Sequence, residues 1–159
     1  MKCLCFDIDG TLLVGSTGKP KPALASGRLE AAIREAAVDR LICVANFASV
    51  VHTMHAVDPG FDGLGALFAL CQGVFRDEVW FRRVTRLAED PRNRGLEVSQ
   101  ESDWWYVDDL AHEYLARAGL DALFKEENGH RILVPNCEGD GSEVIEWLRL
   151  VGSGHRVQR

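Results

Sequence analysis

Two short apolar runs in this chain stop at paired acids. The run Lys2–Ile8 carries Asp7 and turns into Asp9-Gly10-Thr11, and Trp104-Trp105-Tyr106-Val107 runs directly into Asp108-Asp109. A brief, continuous apolar segment followed by loop residues suits a strand buried on both faces of a parallel sheet. Both acidic pairs are therefore expected at the C-terminal ends of strands.

The segments between these runs alternate in character. From Ala23 to Val38, Leu29, Ile33, Ala36 and Ala37 recur at helical spacing among Arg28, Glu30, Arg34 and Glu35, so a helix is predicted. Arg40–Ala45 reads as a second buried strand, and strand, helix, strand implies a parallel pair. Asn46–Cys71 shows no clear period. Asp77–Ala88 places Trp80, Val84, Leu87 and Ala88 on one helical face, with Asp90-Pro91-Arg92-Asn93-Arg94-Gly95 read as its end. Leu110, Tyr114, Leu115 and Ala118 mark a helix closed by Gly119; Arg131–Val134 reads as a last strand stopped by Pro135, and Ser142 as the cap of a last helix. The fold class predicted is α/β, a Rossmann-like open parallel sheet with helices on both faces. Residues 1–150 read as one domain and 151–159 as a flexible tail.

Composition narrows the function classes. A formal charge of −6 argues against a chain held on nucleic acid by a broad basic field, and no apolar run approaches a membrane span. The Met1–Asp7 segment meets acid too early for a signal peptide, so a cytoplasmic protein is expected. The five cysteines are odd in number and lie mostly in apolar runs, which reads as reduced core residues; Cys3 and Cys5 are a weak metal pair. His52 and His55 share a helical spacing without a third ligand nearby, and Trp104 and Trp105 should face opposite sides of the sheet.

Ligands of open parallel sheets bind beyond the carboxyl ends of the strands, where Asp7, Asp9, Asp108 and Asp109 are expected together. Crowded carboxylates repel, and hard oxygen ligands suit Mg²⁺, so a bound magnesium ion is the simplest resolution.

Phe6-Asp7-Ile8-Asp9-Gly10-Thr11-Leu12-Leu13 resembles the first motif of the haloacid dehalogenase (HAD) superfamily, and Val107-Asp108-Asp109 before a helix is similar to its fourth. The resemblance implies a phosphatase: Asp7 as nucleophile forming an aspartyl-phosphate, and Asp9 as general acid and then base. Asp7, Asp9, Asp108 and Asp109 would make the Mg²⁺ site, with Asp9 entering through its backbone carbonyl. Gly10 and Thr11 would lie at the phosphate. An acid two residues after the nucleophile favours phosphate esters over halides, because a leaving alkoxide needs a proton.

Two positions depart from the family pattern. The second strand ends Val44-Ala45-Asn46-Phe47, where a Ser or Thr is usual; Asn46 ranks ahead of Ser49 as the replacement donor. No lysine stands between Asn46 and Asp108, so an arginine must replace the family's third-motif lysine. Arg76 is the first choice and Arg83 the second; the remaining arginines up to Arg94 read mainly as a solvated helix face. Both intervals that hold cap domains in the family are short here, so no substantial cap is expected. A capless member implies a small phosphorylated substrate and admits a homo-oligomer. The alternative is a catalytically degraded phosphate- or metal-binding module.

Overall fold

The computed structural model describes residues 1–15, 17–120 and 129–153. Its strands are β1 (Cys3–Phe6), β2 (Arg40–Cys43), β3 (Val84–Leu87), β4 (Trp104–Val107) and β5 (Ile132–Leu133). Among the described residues they form one sheet in the order β3-β2-β1-β4-β5, every neighbouring pair parallel. The helices are α1 (Arg28–Glu35), α2 (Phe47–Val57), α3 (Gly63–Leu70), α4 (Glu78–Phe81), α5 (Arg94–Ser99), α6 (Ala111–Arg117) and α7 (Ser142–Ser153).

Strand side chains alternate between two cores because successive residues point to opposite faces. Leu4, Phe6, Leu41, Cys43 and Val107 pack with Leu29 and Ile33 of α1 and with Val144 and Leu148 of α7. Cys3, Cys5, Ile42 and Tyr106 pack on the other side with Val98 of α5 and with Ala111 and Leu115 of α6. Trp105 joins the first core and Trp104 the second, as their adjacency requires. Helices thus cover both faces, which is why β1 and β2 read as unbroken apolar runs.

The segment predicted as a helix over Asp77–Ala88 divides. Asp77 accepts from the Trp80 N–H and starts α4, which lasts only to Phe81; Val84–Leu87 then pairs with β2 as an edge strand. Main-chain pairing across the sheet outweighs a local apolar spacing that fits a helix equally well. The predicted Ala23–Val38 helix is shorter, a 3₁₀ turn at Pro22–Leu24 followed by α1. Ser142 lies inside the first turn of α7, with Asp140 accepting from both its N–H and its hydroxyl. The helix continues through Gly152 to Ser153, past the start of the predicted tail; residues 154–159 lie outside the described ones. Cys3, Cys5, Cys43 and Cys71 are buried free thiols, whereas Cys137 is exposed. No described helix is long and apolar enough to cross a membrane.

Candidate functional site

The chain leaves β1 for β2 and β3 on one side, then crosses to β4 on the other, so the connectivity reverses between β1 and β4. That reversal opens a crevice at the carboxyl edge of the sheet. Phe6 pairs in register with Val107, and main-chain bonding runs one residue past each strand: Asp7 N–H donates to the Val107 carbonyl of β4 at 3.1 Å, and Asp108 N–H to the Leu133 carbonyl of β5 at 3.2 Å. Asp7 and Asp108 are thus the first residues beyond two adjacent strands, separated by about one inter-strand spacing.

Asp7, Asp108 and Asp109 each present a carboxylate oxygen within 4.8 Å of the other two. Thr11 joins them: its hydroxyl accepts from the Asp109 N–H at 3.0 Å and shares its proton between Asp7 Oδ2 and Asp109 Oδ1, each at 3.3 Å. The turn that brings Thr11 there depends on Gly10, whose φ is +78°. A Cβ at Gly10 would run into the Asp109 carboxylate, with Asp109 Cγ only 2.8 Å away. Both the backbone angle and the close approach require glycine.

The cation at the centre of this cluster is Arg94, the first residue of α5. Its Nη1 donates to Asp7 Oδ1 at 3.1 Å and to Asp108 Oδ2 at 3.0 Å, its Nη2 to Asn46 Oδ1 at 2.8 Å and its Nε to the Pro91 carbonyl at 2.8 Å. The guanidinium is 2% exposed and lies 4.0 Å over the Tyr114 ring. Asp108 is fully engaged as well: the Tyr106 hydroxyl donates to Oδ2 at 2.8 Å and the Leu110 N–H to Oδ1 at 2.9 Å.

Burial sets the electrostatics. It pushes the Asp7 carboxyl well above the ordinary carboxylate range; Asp108 adds to the rise and Arg94 opposes it. Burial also raises Asp108, against the lowering by Arg94 and by its N–H and O–H donors. The Tyr106 hydroxyl is raised by burial and then by Asp108, so it remains a donor. Three clustered carboxylates, two of them with charged forms penalised by burial, offer hard oxygen donors that fit a small divalent cation such as Mg²⁺, which would offset that penalty at Asp7 and Asp108.

Beside this cluster lies a cavity of about 180 Å³ lined by Asp7, Asp9, Ala45, Asn46, Arg94 and Asp109, among others; Asp108 is buried behind it. Asp9 lines it with an exposed side chain, outside the trio of clustered carboxylates. Asn46 uses Oδ1 on Arg94, which leaves its amide NH₂ as a donor. Ala45 offers none, and Ser49, on α2, does not line the cavity. Gly10 and Thr11 are buried and do not line the cavity.

Arg76 does not reach this site. It lies against Gly27, where a Cβ would stand 2.8 Å from Arg76 Cδ, and its N–H donates to Glu30 at 3.2 Å. Arg83 sits in the turn between α4 and β3 and donates to the Asp39 carbonyl, so the choice based on one continuous helix falls with that helix. His52 and His55 are exposed on α2 and join no cluster of potential metal ligands among the described residues. Arg94 is the residue that the sequence reading missed. Its signal is Asp90-Pro91, an N-cap followed by a proline in the first turn, which starts a helical segment rather than ending one. A second missed cation, Lys21, is fully buried, donates to the Asn136 carbonyl at 2.7 Å and is close enough to Asp109 to feel its charge; burial lowers its pKa.

Fold and site together define an α/β protein with a parallel sheet, carrying at the edge where ligands of such sheets bind a carboxylate trio, two of whose members, Asp7 and Asp108, are buried and bridged by an arginine. No protein-family model matches the chain, and no curated protein or solved structure matches it either.

Proposed function

We propose that this protein is a Mg²⁺-dependent phosphatase acting on phosphate monoesters through an aspartyl-phosphate, a capless HAD-like enzyme that works in the cytoplasm. The observation that carries the reading is the trio Asp7, Asp108 and Asp109 within 4.8 Å of one another, two of which, Asp7 and Asp109, line a cavity that also holds Asp9. Asp7, Asp108, Asp109 and the Asp9 carbonyl would hold the ion. When bound, Mg²⁺ would offset part of the negative charge of the carboxylates and the incoming phosphate dianion, lowering their mutual repulsion.

Asp7 attacks phosphorus, the bond to the ester oxygen breaks, and protonated Asp9 gives its proton to the departing alkoxide, so the alcohol leaves and the phosphoryl group stays on Asp7. A water molecule then attacks phosphorus and yields its proton to Asp9. The bond to Asp7 breaks, returning inorganic phosphate and the free carboxylate. Asn46 through its NH₂ and Arg94 through its remaining Nη2 N–H donate to the phosphoryl oxygens, and Arg94 takes the part expected of Arg76. Thr11 holds Asp7 and Asp109 in place.

Incubation with an aryl phosphate should release phosphate in the presence of Mg²⁺ and not with a chelator, and Asp7→Asn should abolish turnover. Activity retained in Asp7→Asn would remove Asp7 from its role. Ala45 favours a second reading, a binding module without turnover, because it lines the cavity where a hydroxyl donor is missing. That reading predicts calorimetric binding of Mg²⁺ or inorganic phosphate with no hydrolysis of a broad ester panel.

A further inference from the structure

The acidic cavity has an apolar lining as well as a polar one. Ile8, Ala45, Phe47, Leu70, Leu110 and Tyr114 line it together with the polar groups. Leu70, at the end of α3, is 40% exposed, and Leu110, between β4 and α6, is 47% exposed. Two leucines from separate elements therefore bring open apolar surface to one mouth, and covering such surface with a ligand is favourable.

Charge points the same way. Among the described residues Arg94 is the one cationic residue lining the cavity, against Asp7, Asp9 and Asp109. Four of the five guanidinium N–H groups are already given to Pro91, Asp7, Asp108 and Asn46. Lys21 is fully buried and committed to the Asn136 carbonyl. Mg²⁺ and the remaining Arg94 N–H would serve one phosphoryl group, and among the described residues no further lining cation is present for a second anion.

We infer that the substrate is a phosphate monoester of an apolar, uncharged alcohol, with no second anionic group, and that Leu70 and Leu110 select it by packing against the leaving group. The inference rests on the phosphatase reading and adds the substrate class to it. A sugar bisphosphate or nucleoside diphosphate would bring its extra charge to an acidic, apolar mouth, which costs binding through both unpaired charge and lost contact.

The test compares hexyl phosphate, glycerol 3-phosphate and hexane-1,6-diol bisphosphate, whose alkoxide leaving groups are of similar basicity. With Mg²⁺, kcat/KM is expected to be about tenfold higher for hexyl phosphate than for glycerol 3-phosphate, and lowest for the bisphosphate. Leu110→Lys and Leu70→Lys, both at exposed positions and checked for folding by circular dichroism, should each lower hexyl phosphate turnover and raise that of the bisphosphate. Hydrolysis of all three with equal rates, or with the polar or doubly charged ester preferred, overturns the substrate class and leaves the phosphatase reading standing. Failure to hydrolyse any of them, together with no binding to the Asp7→Asn chain by calorimetry, overturns both. Binding without hydrolysis overturns the phosphatase alone, and the order of the three dissociation constants then decides the ligand class by the same criterion.

Discussion

Arg94 and the two aspartates it bridges hold each other in place through a balance of opposed charges. Removing the guanidinium would leave Asp7 and Asp108 facing one another in a buried site without their shared counter-ion. Arg94→Ala is expected to lower the stability of the Mg²⁺-free protein by about 3–5 kcal/mol, the usual cost of breaking a buried pair from one side. Added Mg²⁺ should restore part of the loss, because a divalent cation supplies the missing charge. Denaturant titrations of both proteins with and without Mg²⁺ measure this. An equal loss under both conditions would show that the cluster does not take the ion. Arg94→Lys retains the charge but not the fork of donors that reaches Asp7, Asp108, Asn46 and Pro91 together, so an intermediate loss is expected.

At the level of elements, the position of Arg94 is decided by how α5 is anchored. Arg86 of β3 donates to Glu97 and Glu101 at 2.7 Å each, and Glu97 also accepts from the Glu89 and Asp90 N–H groups. Strand β3 thus clamps the helix that begins with Arg94. On its other side α5 presses on α6: a Cβ at Gly95 would stand 2.6 Å from the Tyr114 carbonyl oxygen, and Tyr114 is also the ring beneath Arg94. Gly95→Ala must therefore push α5 and α6 apart beside the guanidinium. We expect a loss of about 1–3 kcal/mol in thermal or denaturant unfolding, as for other overpacked contacts. Phosphate release should fall with it. Full activity with unchanged stability would mean that the two helices separate freely.

For the whole molecule, pH acts in opposite directions on two sets of carboxyls. Asp62 is held down to about 2, chiefly by the Arg82 guanidinium, and Asp77, Asp90 and Asp140 are held below the ordinary value chiefly by the Trp80 N–H, Arg92 and the Ser142 N–H respectively. Their folded values lie under the unfolded value of about 3.9, so their contribution is present above that pH and is lost as pH falls through the folded values. Helix starts at Asp62 and Asp77 should fray first on acidification from about pH 4 toward 2, which amide exchange of α3 and α4 would report. Asp7 and Asp108 are raised by burial, so their contribution is complete below the unfolded value and declines as pH rises through the folded ones. The stabilisation by Mg²⁺, read as a shift in Tm, should therefore grow as pH rises above the ordinary carboxylate range, since the ion competes with protons for these carboxyls. A shift independent of pH would separate the ion from the trio.

Strands β1 and β4 and their acids were legible in the sequence because burial on both faces writes itself as a local apolar run and because Asp7, Asp108 and Asp109 follow those runs directly. Helix α6 and its glycine stop were legible for the same local reason. Strand β3 was not: Val84–Leu87 carries a spacing that suits helix and strand alike, and only pairing with β2 selects one. Arg94 was hidden for a related reason. It stands 87 residues from Asp7 and among other arginines, and nothing local distinguishes the one whose backbone is held by β3 and α6 beneath the sheet edge from those left in solvent. Residue identity and short-range burial determined which acids stand at strand ends. Tertiary packing decided which cation meets them, because that choice depends on contacts between elements distant along the chain.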